Sequence, residues 1–341
     1  MNDSPLIIPD SDFIEKFTQD KPRPRIIGQS IPKVDSHVDL PYYMMSHGIE
    51  RPFSELSEAP FTLTKAQGAN IRLFCTAIYC EDSYNGPGSE NRYQEILDFT
   101  LSHLDPVELI KTKEELKSVR ENPDRLFTVL LLENGDFLAD NPEDNVSRLR
   151  EDGVRIVGLT HMGRNRLADG SAVDIAQGVT DAGKEVVRIL SECNMIIDTA
   201  HLHPKCFWQL MDLTERPVVS THTGVQEVYK IPRNLNLEQI SSIIERGGII
   251  GITINPEMLG SHMNVGVDTV FAHLDTVVQR FGPSPVGIGS DLGGFDRAPE
   301  ELSGPEALIR LEDLMNRHGY GQEAVEAIMG GNWLHFLELN M

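Results

Sequence analysis

Cysteine is scarce: Cys75, Cys80, Cys193 and Cys206 are the only four in 341 residues, and no two stand in C-x-x-C spacing. All lie in or beside apolar runs, which excludes a disulfide framework or a cysteine-held zinc and reads as free thiols packed in a core. Long apolar runs are missing too, with nothing near the ~20 residues that a membrane span requires. Met1 to Asp10 shows no basic stretch followed by an apolar one, so no secretory leader is read there and a cytoplasmic location is expected. Basic charge is in deficit. Thirty Lys and Arg face 52 Asp and Glu, and the resulting net charge of -22 repels phosphate backbones and anionic headgroups. Nucleic acid and membrane surfaces are therefore not expected as partners. A small molecule is.

What is present is a series of short β-branched runs separated by helical patterns, the signature of parallel strands buried on both faces. There are eight: Ile31 to His37, Ala69 to Tyr79, Leu126 to Glu133, Val154 to His161, Met195 to His201, Pro217 to His222, Gly248 to Ile254 and Val286 to Asp291. Helix starts are expected at Asp105-Pro106 ahead of EELKSVR, at Asn141-Pro142 ahead of EDNVSRLRE, and at Thr180 ahead of DAGKEVVRILSE. Pro87 to Leu104 reads as a loop plus a helix. No G-x-G-x-x-G turn follows the first strand, and eight βα repeats in a chain of this length fit a closed (β/α)8 TIM barrel. We expect one metallohydrolase domain over 1–341, with an N-terminal extension at 1–30 and terminal helices over 300–341. Those helices end in NWLHFLEL and are expected to pack outside the barrel or against a second subunit in a homodimer.

The polar residues fall where barrel enzymes build their sites, at the C-terminal ends of the strands. Strand one ends His37-Val38-Asp39, strand three Glu133, strand four His161, strand five His201, strand six His222 and strand eight Asp291. Residues i and i+2 of a strand point to one side, so His37 and Asp39 can face one ion. Taken singly, each of these residues is better explained by a capping or surface role. Six such strand ends on one rim point to a metal site. His203 competes with His201, being two residues on and facing the same way, while His201 directly ends the run MIIDTA. The histidines at 47, 103, 262, 273, 318 and 335 fall in loops or helices and are given no site role. Other barrel amidohydrolases open with H-x-H and hold metal on a modified lysine of strand four. This chain has H-x-D and no lysine in VRIVGLTHM, which leaves Glu133 as the strand-end glutamate to bridge two ions.

In order along most of the chain, the motifs DSHVDLP (Asp35 to Pro41), LLENGD around Glu133, LTH (Leu159 to His161), VTDAGKEVV from Val179, IDTAH (Ile197 to His201), THT (Thr221 to Thr223), PRNL (Pro232 to Leu235), GIGSD (Gly287 to Asp291) and GGNWL (Gly330 to Leu334) resemble the renal, or membrane, dipeptidase family of zinc peptidases. The resemblance implies two zinc ions per chain bridged by Glu133, one held also by His37 and Asp39 and the other by His201 and His222. It implies proton transfer by Asp291, an oxyanion contact from His161, a substrate carboxylate on Arg233, and tolerance of a D-residue at the second position. The chain departs from the family pattern at Asn134-Gly135, at Pro256 within INPEML, and at Gly293 after Leu292, positions that bear on the pocket for the substrate's side chain. Three readings follow: a dipeptidase requiring a free C-terminal carboxylate; a metal-dependent enzyme acting on a non-peptide amide, lactone or natural-product intermediate; and a non-catalytic binding protein. The third predicts lost ligands, and the chain keeps them all.

Overall fold

The computed structural model describes residues 32–261 and 265–341. Residues 1–30, expected as an extension, and His262 lie outside the described residues. The strands are β1 Lys33–Val38, β2 Ile71–Tyr79, β3 Phe127–Glu133, β4 Val154–Gly158, β5 Ile196–Asp198, β6 Val218–Thr223, β7 Ile249–Ile252 and β8 Val286–Ile288. They pair in parallel in the order β2-β1-β8-β7-β6-β5-β4-β3, and β2 also pairs with β3 from Leu73↔Phe127 to Tyr79↔Glu133. That last ladder closes the sheet into the (β/α)8 barrel that the eight runs predict. Around it lie α1 Leu40–Ser46, α2 Ser89–His103, α3 Pro142–Asp152, α4 Asp181–Glu192, α5 Pro204–Leu213, α6 Leu237–Glu245, α7 Val267–Phe281, α8 Glu306–Arg317 and α9 Asn332–Asn340. Among the described residues no helix is long and apolar enough to cross a membrane.

The period of two along the strands sorts side chains into two cores. Leu73, Cys75 and Ala77 of β2 and Phe127, Val129 and Leu131 of β3 pack with Ile156, Ile196, Val219 and Ile249 inside the barrel. Phe74, Ile78, Leu130 and Leu132, one residue out of step, meet the helices. Helix starts follow local chemistry. Thr180 accepts from Gly183 N at the start of α4, and Pro142 opens α3, where its missing N–H costs nothing. Three of the four cysteines are buried and all are free thiols.

Three expectations are corrected. Strands four, five and eight stop at Gly158, Asp198 and Ile288, three residues short of His161, His201 and Asp291. His201 and Asp291 have φ of 67° and 66°, a left-handed conformation that no strand accommodates. Asp105-Pro106 does not open a helix either. The chain there pairs with β3, Glu108 N donating to Leu126 O and Ile110 N to Thr128 O, and the helix within EELKSVR is only Lys117–Glu121. Finally, α9 is not spread on the outer wall. Trp333, Leu334 and Leu337 are buried in the core inside the barrel, and Asn332 donates from Nδ2 to Pro283 O and Val286 O, each at 2.7 Å, at the start of β8. The helix closes the N-terminal opening, opposite the rim that carries the polar residues.

Candidate metal centre and active site

At the other end of the barrel the strands deliver their polar residues to one point. His37 lies in β1, Glu133 ends β3 and His222 lies in β6, while Asp39, His201 and Asp291 follow β1, β5 and β8 in turns. Glu133 faces two histidines at once, Oε1 lying 2.7 Å from His201 Nε2 and Oε2 3.4 Å from His37 Nε2. His37 Nε2 is also 3.3 Å from Asp39 Oδ2, and His201 and His222 bring their Nε2 atoms to 3.0 Å. Three sets of ligand atoms fall within 4.8 Å of one another: His37 with Glu133 and His222, Glu133 with His161 and His201, and His37 with Asp39 and Asp291. The seven expected site residues other than Arg233 therefore meet, and Arg233 joins them from the loop before α6.

Electrostatics make the cluster costly without a cation. Burial pushes the Asp291 carboxyl well above its usual range, and the neighbouring Asp39 carboxylate adds to this. Burial alone would lift Glu133, but His37 and His201 hold it well below the ordinary value. Burial lowers His201, helped by the Arg233 charge, and lowers His222, helped by His37. For His37, burial is outweighed by Asp39 and Glu133, and its imidazole stands well above the usual value.

The donor set fits divalent metal. His37 Nε2 is buried and makes no hydrogen bond, and the Nε2 atoms of His201 and His222 converge with the Glu133 carboxylate, the arrangement that nitrogen and oxygen ligands take around an ion. Space is kept open beside it. A Cβ at Gly294 would stand 2.4 Å from Asp291 Oδ1 and 2.7 Å from Asp39 Oδ2.

A cavity of ≈ 370 Å³ opens over this cluster, with Tyr42, Tyr79, His161, Arg233, Asn255 and Glu257 in its walls. Arg233 is 8% exposed and donates from Nη2 to His222 O at 3.1 Å, leaving most of its donors toward the cavity. His161 Nδ1 lies 3.2 Å from Tyr79 Oη and 3.3 Å from Asp82 Oδ2, which turns its Nε2 edge to the site. His203 is outside. It caps α5, its Nδ1 accepting from Lys205 N. His47 and His103 bond to carbonyls of their own helices, His273 is buried between Val225 N and Leu259 O, and His318 lies tilted against the Phe271 ring.

Sequence reasoning missed Asn255, which donates to Asp291 Oδ2 at 2.7 Å, together with Tyr79 and Asp82 behind His161 and the pair Asp198 and Thr221 behind the histidines. Asn255 stands just past the end of β7, so a strand-end search that admitted amides would have found it. Tyr79, the last residue of β2, carried the same signal.

The family model for membrane dipeptidase, peptidase family M19, matches residues 23–339. Dipeptidase 3 of Rattus norvegicus is 23% identical over 323 residues, 90% of this chain and 64% of that one. An uncharacterized protein in the pqqA 5' region of Klebsiella pneumoniae is 28% identical over 196 residues, 54% of this chain and 72% of its own length. An uncharacterized dipeptidase of Schizosaccharomyces pombe is matched over 41% of its length. Among solved structures, the metallopeptidase dipeptidase AC superposes with a TM-score of 0.83 at 21% identity, covering 92% of this chain and 99% of that one. A metallopeptidase of Rhodobacter sphaeroides, liganded with a phosphinate mimic of the dipeptide L-Ala-D-Ala, superposes at 0.81 with 20% identity, covering 92% and 100%. At such identities the superpositions establish the fold, while the family model spans nearly the whole chain. The chain belongs to the membrane dipeptidase family, peptidase family M19, a family of metal-dependent hydrolases.

Proposed function

We propose that the protein is a dipeptidase with two zinc ions per chain, one held by His37 and Asp39, the other by His201 and His222, with Glu133 shared. The observation that carries this reading is the Glu133 carboxylate, whose two oxygens face His37 of β1 and His201 of the turn after β5. When bound, two such ions supply an acidified water and polarise the scissile carbonyl. Asp291 takes a proton on the oxygen that Asn255 leaves free and returns it to the departing amine. His161 donates to the oxyanion as the carbonyl carbon becomes tetrahedral. Arg233 offers a planar fork to the substrate's C-terminal carboxylate, and burial of that fork restricts the site to short substrates ending there. The mimic bound to the Rhodobacter sphaeroides relative carries a D-residue second, which supports tolerance of that configuration here.

The test is a panel of L-L and L-D dipeptides, their C-terminal amides and tripeptides, offered to the zinc-loaded protein and to Arg233→Ala. Free dipeptides should be cleaved and amides should be poor. Arg233→Ala should lose that preference, because an unpaired buried charge costs about 3–5 kcal/mol. Elemental analysis should give close to two zinc ions per chain. If no dipeptide is cleaved, the site serves a non-peptide amide, lactone or natural-product intermediate instead.

A further inference from the structure

Thr221 lies in β6 next to His222, facing His37 across the barrel. Its hydroxyl has three neighbours: Asp198 Oδ2 at 2.5 Å, His37 Nδ1 at 3.0 Å and His222 Nδ1 at 3.1 Å. A hydroxyl has one proton and two lone pairs, so it donates once and accepts twice. Asp198 decides where the proton goes. Its Oδ1 accepts from Ala200 N at 3.0 Å and from Thr221 N at 2.9 Å, and its Oδ2 is left for the hydroxyl. With the Thr221 proton committed to Asp198, both lone pairs accept, and both Nδ1 atoms carry hydrogens. Each ring then turns its Nε2 lone pair to the centre. His201 differs, since its Nδ1 is buried with no hydrogen-bond partner.

We propose that Thr221 is a positioning residue that fixes the ring orientation and the proton-bearing nitrogen of His37 and His222 together, with Asp198 fixing the direction of its hydroxyl. This rests on the metal-centre reading above. Outer partners of ligating histidines commonly change metal affinity by about 10–100-fold. Here one hydroxyl serves two ligands of different ions, so its loss weakens both.

Three variants test it: Thr221→Ser, Thr221→Val and Asp198→Asn. Asparagine keeps the shape of Asp198 and can still accept both backbone N–H groups through Oδ1, but its Nδ2 donates into the Thr221 oxygen. The hydroxyl proton is then turned onto one histidine, which must carry its own hydrogen on Nε2. Zinc affinity, measured by competition with a chromophoric chelator, should be near wild type for Thr221→Ser and about 10–100-fold weaker for both other variants. Proton–nitrogen spectra of the zinc-loaded protein labelled at histidine should show Nδ1–H signals from His37 and His222, protected from exchange. Asp198→Asn should lose one of them. Thermal melting of the metal-free proteins reports the fold separately, and Asp198→Asn with Thr221→Ser decides the matter should Thr221→Val fail to fold. Wild-type affinity and both protected signals in Asp198→Asn overturn the proposal. A wild-type chain that takes up no zinc overturns the metal reading and this proposal with it.

Discussion

Asn255 donates from Nδ2 to Oδ2 of Asp291 across 2.7 Å, joining the rim of β7 to that of β8 and leaving the other carboxylate oxygen toward Asp39 and the cavity. The amide fixes which oxygen can exchange a proton. Replacing Asp291 by Asn should therefore lower kcat by at least ~10²-fold, the scale of a positioned acid or base, with the metal content unchanged. Asn255→Ala should slow turnover in the same direction with KM little affected. Loss of metal from Asp291→Asn would make that residue a ligand.

His161 presents its Nε2 edge because Tyr79 and Asp82 hold the opposite nitrogen. His161→Ala should reduce kcat by ~10² or more, as removal of an oxyanion donor does, while zinc stoichiometry by elemental analysis stays at the wild-type value. An equal loss of zinc and activity would move His161 into the ligand set.

Trp333 is fully buried where Gly287 has no side chain, and a Cβ at 287 would stand 2.2 Å from its ring. Trp333→Ala should cost about 3–5 kcal/mol in urea unfolding, through lost transfer energy and the cavity left behind. Gly287→Ala should cost about 1–3 kcal/mol by overpacking the same contact.

Asp136 accepts from Gly86 N and Arg166 N, each at 2.8 Å, and from Arg166 Nε at 2.9 Å. Burial would raise its carboxyl, but the Arg166 guanidinium and these N–H donors hold it below the usual 3.8. A depressed folded-state value means that its stabilisation is complete above the unfolded value and fades as pH falls through the folded one. Asp136→Asn should accordingly be less stable than wild type by about 2–3 kcal/mol near neutral pH. The gap in urea midpoints should close only below about pH 4.

The barrel was legible because parallel strands buried on both faces write themselves as unbroken runs: FTVLLLE is β3 with every residue buried. The site was legible through its position on the strands, which set Glu133, His37 and His222 on one rim. The turns were not. His201 and Asp291 reach the centre through left-handed backbone three residues past their strands, and nothing in IDTAH or GIGSD signals that conformation for a histidine or an aspartate. Thr221 was invisible for another reason. Its partners His37 and Asp198 lie 184 and 23 residues away, and a threonine among β-branched residues reads as ordinary strand filler. For Asp105-Pro106 the turn signal was real, but pairing with β3 claimed the backbone that a helix would have used.

The closure by α9 also bears on synthesis. The strand that begins the barrel pairs with the one that ends it, Asp35 opposite Ile288, and the floor beneath both is supplied by Trp333 and Leu337, 45 and 49 residues beyond Ile288. While the ribosome is still making that last stretch, the interior faces of β1 to β8 have no cover at their base. A chain truncated before α9 should therefore leave the interior side chains at the base of β1 to β8 uncovered and aggregate more readily than the full chain, although all the proposed site residues precede the cut.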